Sequence, residues 1–192
     1  MDAEYKLSLS PVRTEDAQGA AKDIMEATQA KLGFVPNMYR TMANSPGYLS
    51  TYTHGYTQFR ESSGFTPQEQ EVVFLIISRE NDCGYCVAAH SMIADKMSNL
   101  DAGSLSAIRS GSDLPDSKLQ ALAIFTKHVF DTRGMVRKTE ASAFLAAGFS
   151  EKQIMETVLA TAVKTLSNYS NHIFHTDVDD AFASYRLEEM AE

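Results

Sequence analysis

Apolar residues recur at three- and four-residue steps along most of this chain, and no convincing alternating run occurs, so the pattern predicts an all-α protein. The first helix begins at Thr14 or Asp16 and carries Ala20, Ala21, Ile24, Met25, Ala27, Ala30 and Leu32, after an irregular lead-in punctuated by Pro11. Gly33 suits a helix stop, and Phe34-Val35-Pro36 forces an extended connection, because the residue before a proline is pushed out of the helical region. Asn37 is placed to cap a short helix, MYRTMA, which ends at the turn signal Asn44-Ser45-Pro46-Gly47. Tyr48 to Arg60 reads as a further helix, closed by Ser62-Ser63-Gly64.

Thr66-Pro67-Gln68-Glu69 is a capping box with proline in the first helical position, so a helix starts there. Val72 to Ile77 makes it apolar almost all round. A buried strand would share that run, but the cap and the Glu/Gln-rich first turn predict a buried helix. Asn81 suits a left-handed exit and Asp82 the next N-cap, which puts Cys83 in the first turn of a helix running through His90 to about Met97. Helices follow over 101–110, 117–133 and 138–147, with the polar loop from Asp113 to Asp116 as the internal boundary. Ser150-Glu151-Lys152-Gln153 is a second capping box, opening a long helix through Met155, Val158, Leu159, Val163 and Leu166. A last helix is expected from about Asp177 to Met190.

A repeat lies inside this pattern. Shifting the chain by 84 residues lays GFTPQEQ (64–70) over GFSEKQI (148–154), and Cys83-Gly84-Tyr85-Cys86 over Ser167-Asn168-Tyr169-Ser170. The capping boxes, Gly-Phe pairs and tyrosines coincide, and each cysteine meets a serine. This reads as a duplicated helix–turn–helix whose second copy lacks thiol chemistry; chance similarity between two amphipathic helices is the alternative. The organisation expected is one domain over 1–192, with a first repeat over about 34–111 and a second, degenerate one over about 117–176.

Composition narrows the functional classes. A chain of 192 residues with 44% hydrophobic residues can bury a core, and a formal charge of −8 with no Lys/Arg run disfavours nucleic acid and anionic membranes as partners. No run of 18 apolar residues occurs and the N-terminus lacks a signal-peptide pattern, so a cytoplasmic protein is expected. The two cysteines stand in one CxxC, where a bridge closes a tiny loop; that points to reversible chemistry, not scaffolding.

The chemistry gathers in four side chains. A thiolate, not a thiol, attacks a disulfide or a peroxide. Cys83 in a first helical turn meets free backbone N–H groups and the positive end of the helix dipole, against the raising influence of Glu80 and Asp82. Cys86 follows three residues on, and His90 lies one turn past Cys86, positioned to take a thiol proton and return it. Glu71, on an otherwise apolar helix, needs a buried partner, and His90 is the candidate. Other readings fit the same residues: a zinc site of Cys83, Cys86 and His90 closed by Glu71 or another histidine, or two inert buried thiols. His54, His128, His172 and His175 have no partners by spacing and read as structural or surface residues. The tyrosines at 48, 52, 56 and 85 read as core.

Glu71-x11-Cys83-x2-Cys86-x3-His90, together with GFVPNMYRTMANSP, resembles the alkylhydroperoxidase AhpD-like group of the carboxymuconolactone decarboxylase superfamily, in its peroxidase-related branch, over about residues 34–175. The resemblance implies a duplicated helical bundle assembled as a trimer or hexamer, without a cofactor or metal. It implies a Cys83–Cys86 redox dithiol served by Glu71 and His90 as proton relay, with Cys86 attacking peroxide and Cys83 as the resolving or reductant-facing thiol; the helix dipole alone favours Cys83. The substrate would be a hydroperoxide or a partner disulfide such as that of a peroxiredoxin, with a dithiol reductant. Better-studied members carry a histidine where this chain has Tyr85, whose phenol can donate a hydrogen bond to a thiolate or peroxide but cannot act as a base near neutral pH. The alternatives are an acid/base enzyme of the lactone-decarboxylase kind using Glu71 and His90, and a redox-sensing oligomeric module.

Overall fold

Helices account for the regular structure of the described residues, 4–187 of this computed structural model, and no strand occurs among them. In chain order they are α1 (Gly19–Leu32), α2 (Asn37–Met42), α3 (Pro46–Ser62), α4 (Pro67–Glu80), α5 (Gly84–Lys96), α6 (Ala102–Ser110), α7 (Ser117–Asp131), α8 (Lys138–Ala146), α9 (Glu151–Phe174) and a 3-10 helix, Asp180–Tyr185. The protein is all-α.

The centre is α4. Residues 69–78 are all buried, and α5, α6, α7 and α9 pack around it, so a helix that is apolar nearly all round finds apolar partners on every side. Both capping boxes form. Thr66 Oγ1 accepts the Glu69 N–H at 3.3 Å and Glu69 Oε2 the Thr66 N–H at 2.8 Å. Ser150 and Gln153 repeat the exchange at 3.4 and 2.9 Å. The long helix α9 lies against α3 so closely that a Cβ on Gly55 would stand 2.9 Å from Val163 Cγ2; glycine permits the approach. Buried apolar residues from the loop before α1 to Phe182 form one continuous core, which crosses the 113–116 loop. No described helix is long and apolar enough to span a membrane.

Several local expectations are corrected. Helix α1 starts at Gly19 and α3 at Pro46, a few residues from the sequence-based bounds. Asn37 does not cap α2; the Asp179 carboxylate accepts its N–H at 3.0 Å from 142 residues away. The exit from α4 lies one residue later than expected. Asn81 has φ −91°, while Asp82 is the left-handed residue at φ 53°, and the Cys83 N–H closes the turn on Ser78 O at 2.9 Å. Asp82 therefore cannot be an N-cap, and Cys83 takes that place at the head of α5. The expected helix from 177 to 190 is instead the short 3-10 turn, with residues 188–190 outside the described range.

Candidate active site

The turn at 81–83 delivers Cys83 as the N-cap of α5, puts Cys86 in its first turn, and sets His90 one turn further along; all three are buried. Glu71 reaches the same place from the second turn of α4 and is 0% exposed. His90 Nδ1 lies 2.8 Å from Glu71 Oε2, a bond that places the imidazole proton on Nδ1 and leaves the Nε2 lone pair free. Arg60 of α3 forms an ion pair at 2.5 Å with the other carboxylate oxygen, while its Nη1–H is directed at Gln70 Oε1, 3.1 Å away. The guanidinium rests over the rings of Tyr56 and Phe74, at 4.9 and 4.8 Å, and donates to the Tyr56 hydroxyl at 2.8 Å.

A third element completes the site. Helix α9 turns a polar, buried stripe of Lys164, Ser167, Asn168 and Asn171 toward α4 and α5. Asn171 Nδ2 lies 3.4 Å from Cys86 Sγ and 3.9 Å from Cys83 Sγ, so a single amide serves both sulfurs. Asn168 Oδ1 accepts from Asn81 at 2.9 Å, tying the turn between α4 and α5 to α9.

The buried charges settle into definite states. Burial works against ionisation of Glu71, but His90 and Arg60 outweigh it and hold the carboxyl below its ordinary pKa. Burial, then the Lys164 charge, pulls the His90 pKa below its usual 6.5 against the effect of Glu71, so the imidazole is neutral at pH 7. Burial likewise opposes ionisation of Cys86. The hydrogen bond from Cys83, the charge of Lys164, His90 and the Ser167 hydroxyl reverse this and bring the Cys86 thiol well below its ordinary value. Cys83 is driven up by that same hydrogen bond to Cys86 and by burial. Negative charge is therefore favoured on Cys86 over Cys83, contrary to the helix-dipole argument. Cys83 sits at the N-cap without making a side-chain cap bond, and a close sulfur neighbour decides more than a diffuse dipole.

Tyr85 does not serve the thiolate. Its hydroxyl donates to Asp179 at 2.5 Å and accepts weakly from the Met38 N–H at 3.4 Å, which joins the 3-10 segment and the start of α2 to the head of α5. Nor does Glu80 bear on the sulfurs, being taken up by Arg79 and by Lys127 at 2.6 Å. His172 and His175, read from spacing as structural or surface residues, line with Asn171, Gly84 and Tyr85 a cavity of about 230 Å³ that reaches Cys83. Arg60, Lys164 and Asn171 were not among the expected residues. For the last two a signal existed: in the 84-residue register Ser167 falls opposite Cys83, and Lys164 and Asn171 lie three before and four after it, on its face of the helix. Among the described residues no group of three His, Cys, Asp or Glu side chains is gathered closely enough to hold a metal ion.

The all-helical body has an AhpD-like fold, with the CxxC at the head of α5 and the Glu71–His90 couple joining α4 to that same helix. No family model and no curated protein matches the sequence. Solved structures do match the fold. A peroxidase-related protein with an alkylhydroperoxidase AhpD core from Ralstonia eutropha JMP134 superposes with a TM-score of 0.81 at 22% identity, covering 94% of this chain and 96% of that one. A peroxidase-related protein from Silicibacter sp. TM1040 gives 0.71 at 18%, over 91% and 90%. A cysteine-to-alanine variant of the debrominase Bmp8, in complex with 2,3,4-tribromopyrrole, gives 0.76 at 17%, over 94% and 96%.

Proposed function

We propose that this protein is a thiol-dependent oxidoreductase that cycles Cys83 and Cys86 between dithiol and disulfide while reducing hydroperoxides. The observation that carries the reading is the buried environment of Cys86: a thiol beside it, the Asn171 amide 3.4 Å from its sulfur, and one turn away an imidazole whose Nδ1 is bonded to a buried carboxylate at 2.8 Å. In the proposed cycle the Cys86 thiolate attacks the terminal peroxide oxygen. The O–O bond breaks, the terminal oxygen stays with its hydrogen on Cys86 as the sulfenic acid, and the alkoxide leaves as the alcohol with a proton taken from water. Cys83 then attacks the sulfenic sulfur of Cys86, expelling hydroxide, which takes the Cys83 proton and leaves as water. Two electrons pass from the dithiol to the peroxide, and an external dithiol restores the resting state. The cavity at Cys83 supports that sulfur as the side the reductant meets. It also supports a second substrate class, the disulfide of a partner protein, which would enter by the same face.

Mixing reduced protein with cumene hydroperoxide and counting free thiols tests the reading. Both thiols should be lost in wild type and neither through turnover in C86S; unchanged thiols in wild type rule out direct peroxide reduction. Running the count with 2,3,4-tribromopyrrole separates peroxide preference from a general reactivity toward electrophiles, such as the bound ligand of the debrominase fold relative raises. A lactone-decarboxylase-like activity, resting on Glu71 and His90 alone, would survive serine at both cysteine positions.

A further inference from the structure

Lys164 is the residue of the site that the proposed cycle leaves unused. It sits mid-way along α9 and is 1% exposed, and its Nζ has no protein acceptor within hydrogen-bond distance. A lysine ammonium is among the groups least often buried without a counter-charge, because desolvation penalises the charge unless another charge answers it. Its surroundings are those of the thiols. Nζ lies 5.5 Å from the centre of the Phe74 ring, which also takes the His90 ring at 4.9 Å and Arg60 at 4.8 Å. Along α9, Lys164, Ser167 and Asn171 stand at i, i+3 and i+7 on one face, and Asn171 is in contact with Cys86 Sγ.

Counting charge in this chamber shows what is missing. Arg60 and Glu71 cancel as an ion pair, and His90 is neutral. The other titratable groups facing Cys86 are Tyr52 and Tyr56 from α3 and Tyr85 and Cys83 from α5, whose acidities burial and neighbours suppress. Asp179, before the 3-10 helix, is engaged by Tyr85 and Asn37, and Arg109 of α6 by Ser91 and the carbonyl of Tyr185. One positive charge is left over, on Lys164, and one acid beside it is free to answer.

We infer that Lys164 is the counter-charge of Cys86, a positioning residue on the degenerate half of the fold that keeps the sulfur of the other half anionic at rest. The inference rests on Cys86 being the reactive thiol of the proposed cycle, but it concerns the resting protein and can fail or stand separately. The ammonium takes no part in bond making; it stabilises negative charge on sulfur before the peroxide arrives and again when Cys86 is released from its disulfide.

Thiolate absorbance at 240 nm, followed from pH 4 to 10 in wild type, K164M and C86S, reads this directly. Wild type should show one step on the acid side of an ordinary cysteine, absent in C86S. In K164M the step should move up, so that the thiolate fraction near neutral pH, and the rate of iodoacetamide alkylation at Cys86, fall about tenfold. A step at the same pH in folded K164M, or no acid-side step in wild type, overturns the inference. Where K164M does not fold, C86S is compared with K164M/C86S. With the anion gone the ammonium is unanswered, so its removal should raise Tm; a lowered Tm overturns the inference. A shifted step together with no loss of thiols to cumene hydroperoxide would sink the peroxidase reading and leave the pair standing. Thiols consumed, with an unmoved step, would do the reverse.

Discussion

The two halves of the 84-residue register make the same start and reach different ends. Both open with a Gly-Phe pair and a capping box, and both lead into a helix that packs at the centre. The first then breaks at Asn81-Asp82 and restarts at Cys83; the second runs on as one helix from Glu151 to Phe174. The register places Thr165-Leu166 where the first copy has Asn81-Asp82, and neither is a residue that readily enters the left-handed region. The rest of the site diverges with the turn: Met155, 68% exposed, stands for Glu71, Phe174 for His90, and Ser167 and Ser170 for the two cysteines. Helix α9 nevertheless brings Asn171 and Lys164 to the surroundings of Cys86 and Phe74 across the helix interface. What the difference teaches is that a stretch without thiols still contributes to the site, as its wall.

Making the first copy resemble the second, residue by residue, gives a graded test of this division. C86S, the change that the register itself writes, should abolish peroxide-dependent thiol loss. C83S should instead stop the cycle after one step, with a sulfenic acid on Cys86 that dimedone traps and mass spectrometry detects. Glu71→Met, copying Met155, strands Arg60 and frees the His90 ring. Stability in denaturant at pH 7 should fall by about 3–5 kcal/mol, and turnover by about 10²-fold or more. Because the Glu71 pKa is held down by folding, its contribution is complete above the ordinary carboxylate pKa and fades as the pH drops through the folded value; in E71M that acid-side dependence should shrink. The change in the opposite direction, Asn171→Val, copying Val87 in the register, removes the amide at the sulfurs, and alkylation of Cys86 at neutral pH should slow by roughly tenfold. Asp82→Leu, copying Leu166, puts a branched side chain at φ 53° and should cost about 1–2 kcal/mol, a fall in Tm of a few degrees. Loss of the exposed cap in S150A should be the smallest effect, about 1 kcal/mol or less; the same measurement on T66A, whose Glu69 is buried and also held by Lys118 at 2.7 Å, should give more.

Much of this architecture was legible before any coordinates. Capping boxes, three- and four-residue periodicity and glycine stops are local signals, and they located α4, α6, α7, α8 and α9 to within a few residues. The spacing of Cys83, Cys86 and His90 on one helix is equally local. Where expectation and structure part, a distant group has overruled a local preference. Asp179 takes over the cap of α2 from Asn37, and it also takes the Tyr85 phenol, whose hydrogen bond to a thiolate or peroxide the family resemblance had raised. The 177–190 stretch bends into a 3-10 turn at Asp180, whose neighbour Asp179 is committed to these contacts.

What the amino-acid order determined alone is the set of helices and the identity of the thiol, imidazole and carboxylate, because helix propensity, caps and side-chain spacing act over fewer than about ten residues. What only the tertiary structure decided is the set of groups gathered around the two sulfurs and the Glu71–His90 couple. They are Arg60 from α3, and Lys164 and Asn171 from α9, with water excluded around them. Electrostatic interaction in a buried chamber follows distance through space, and distance through space between α3, α5 and α9 is written nowhere along the chain.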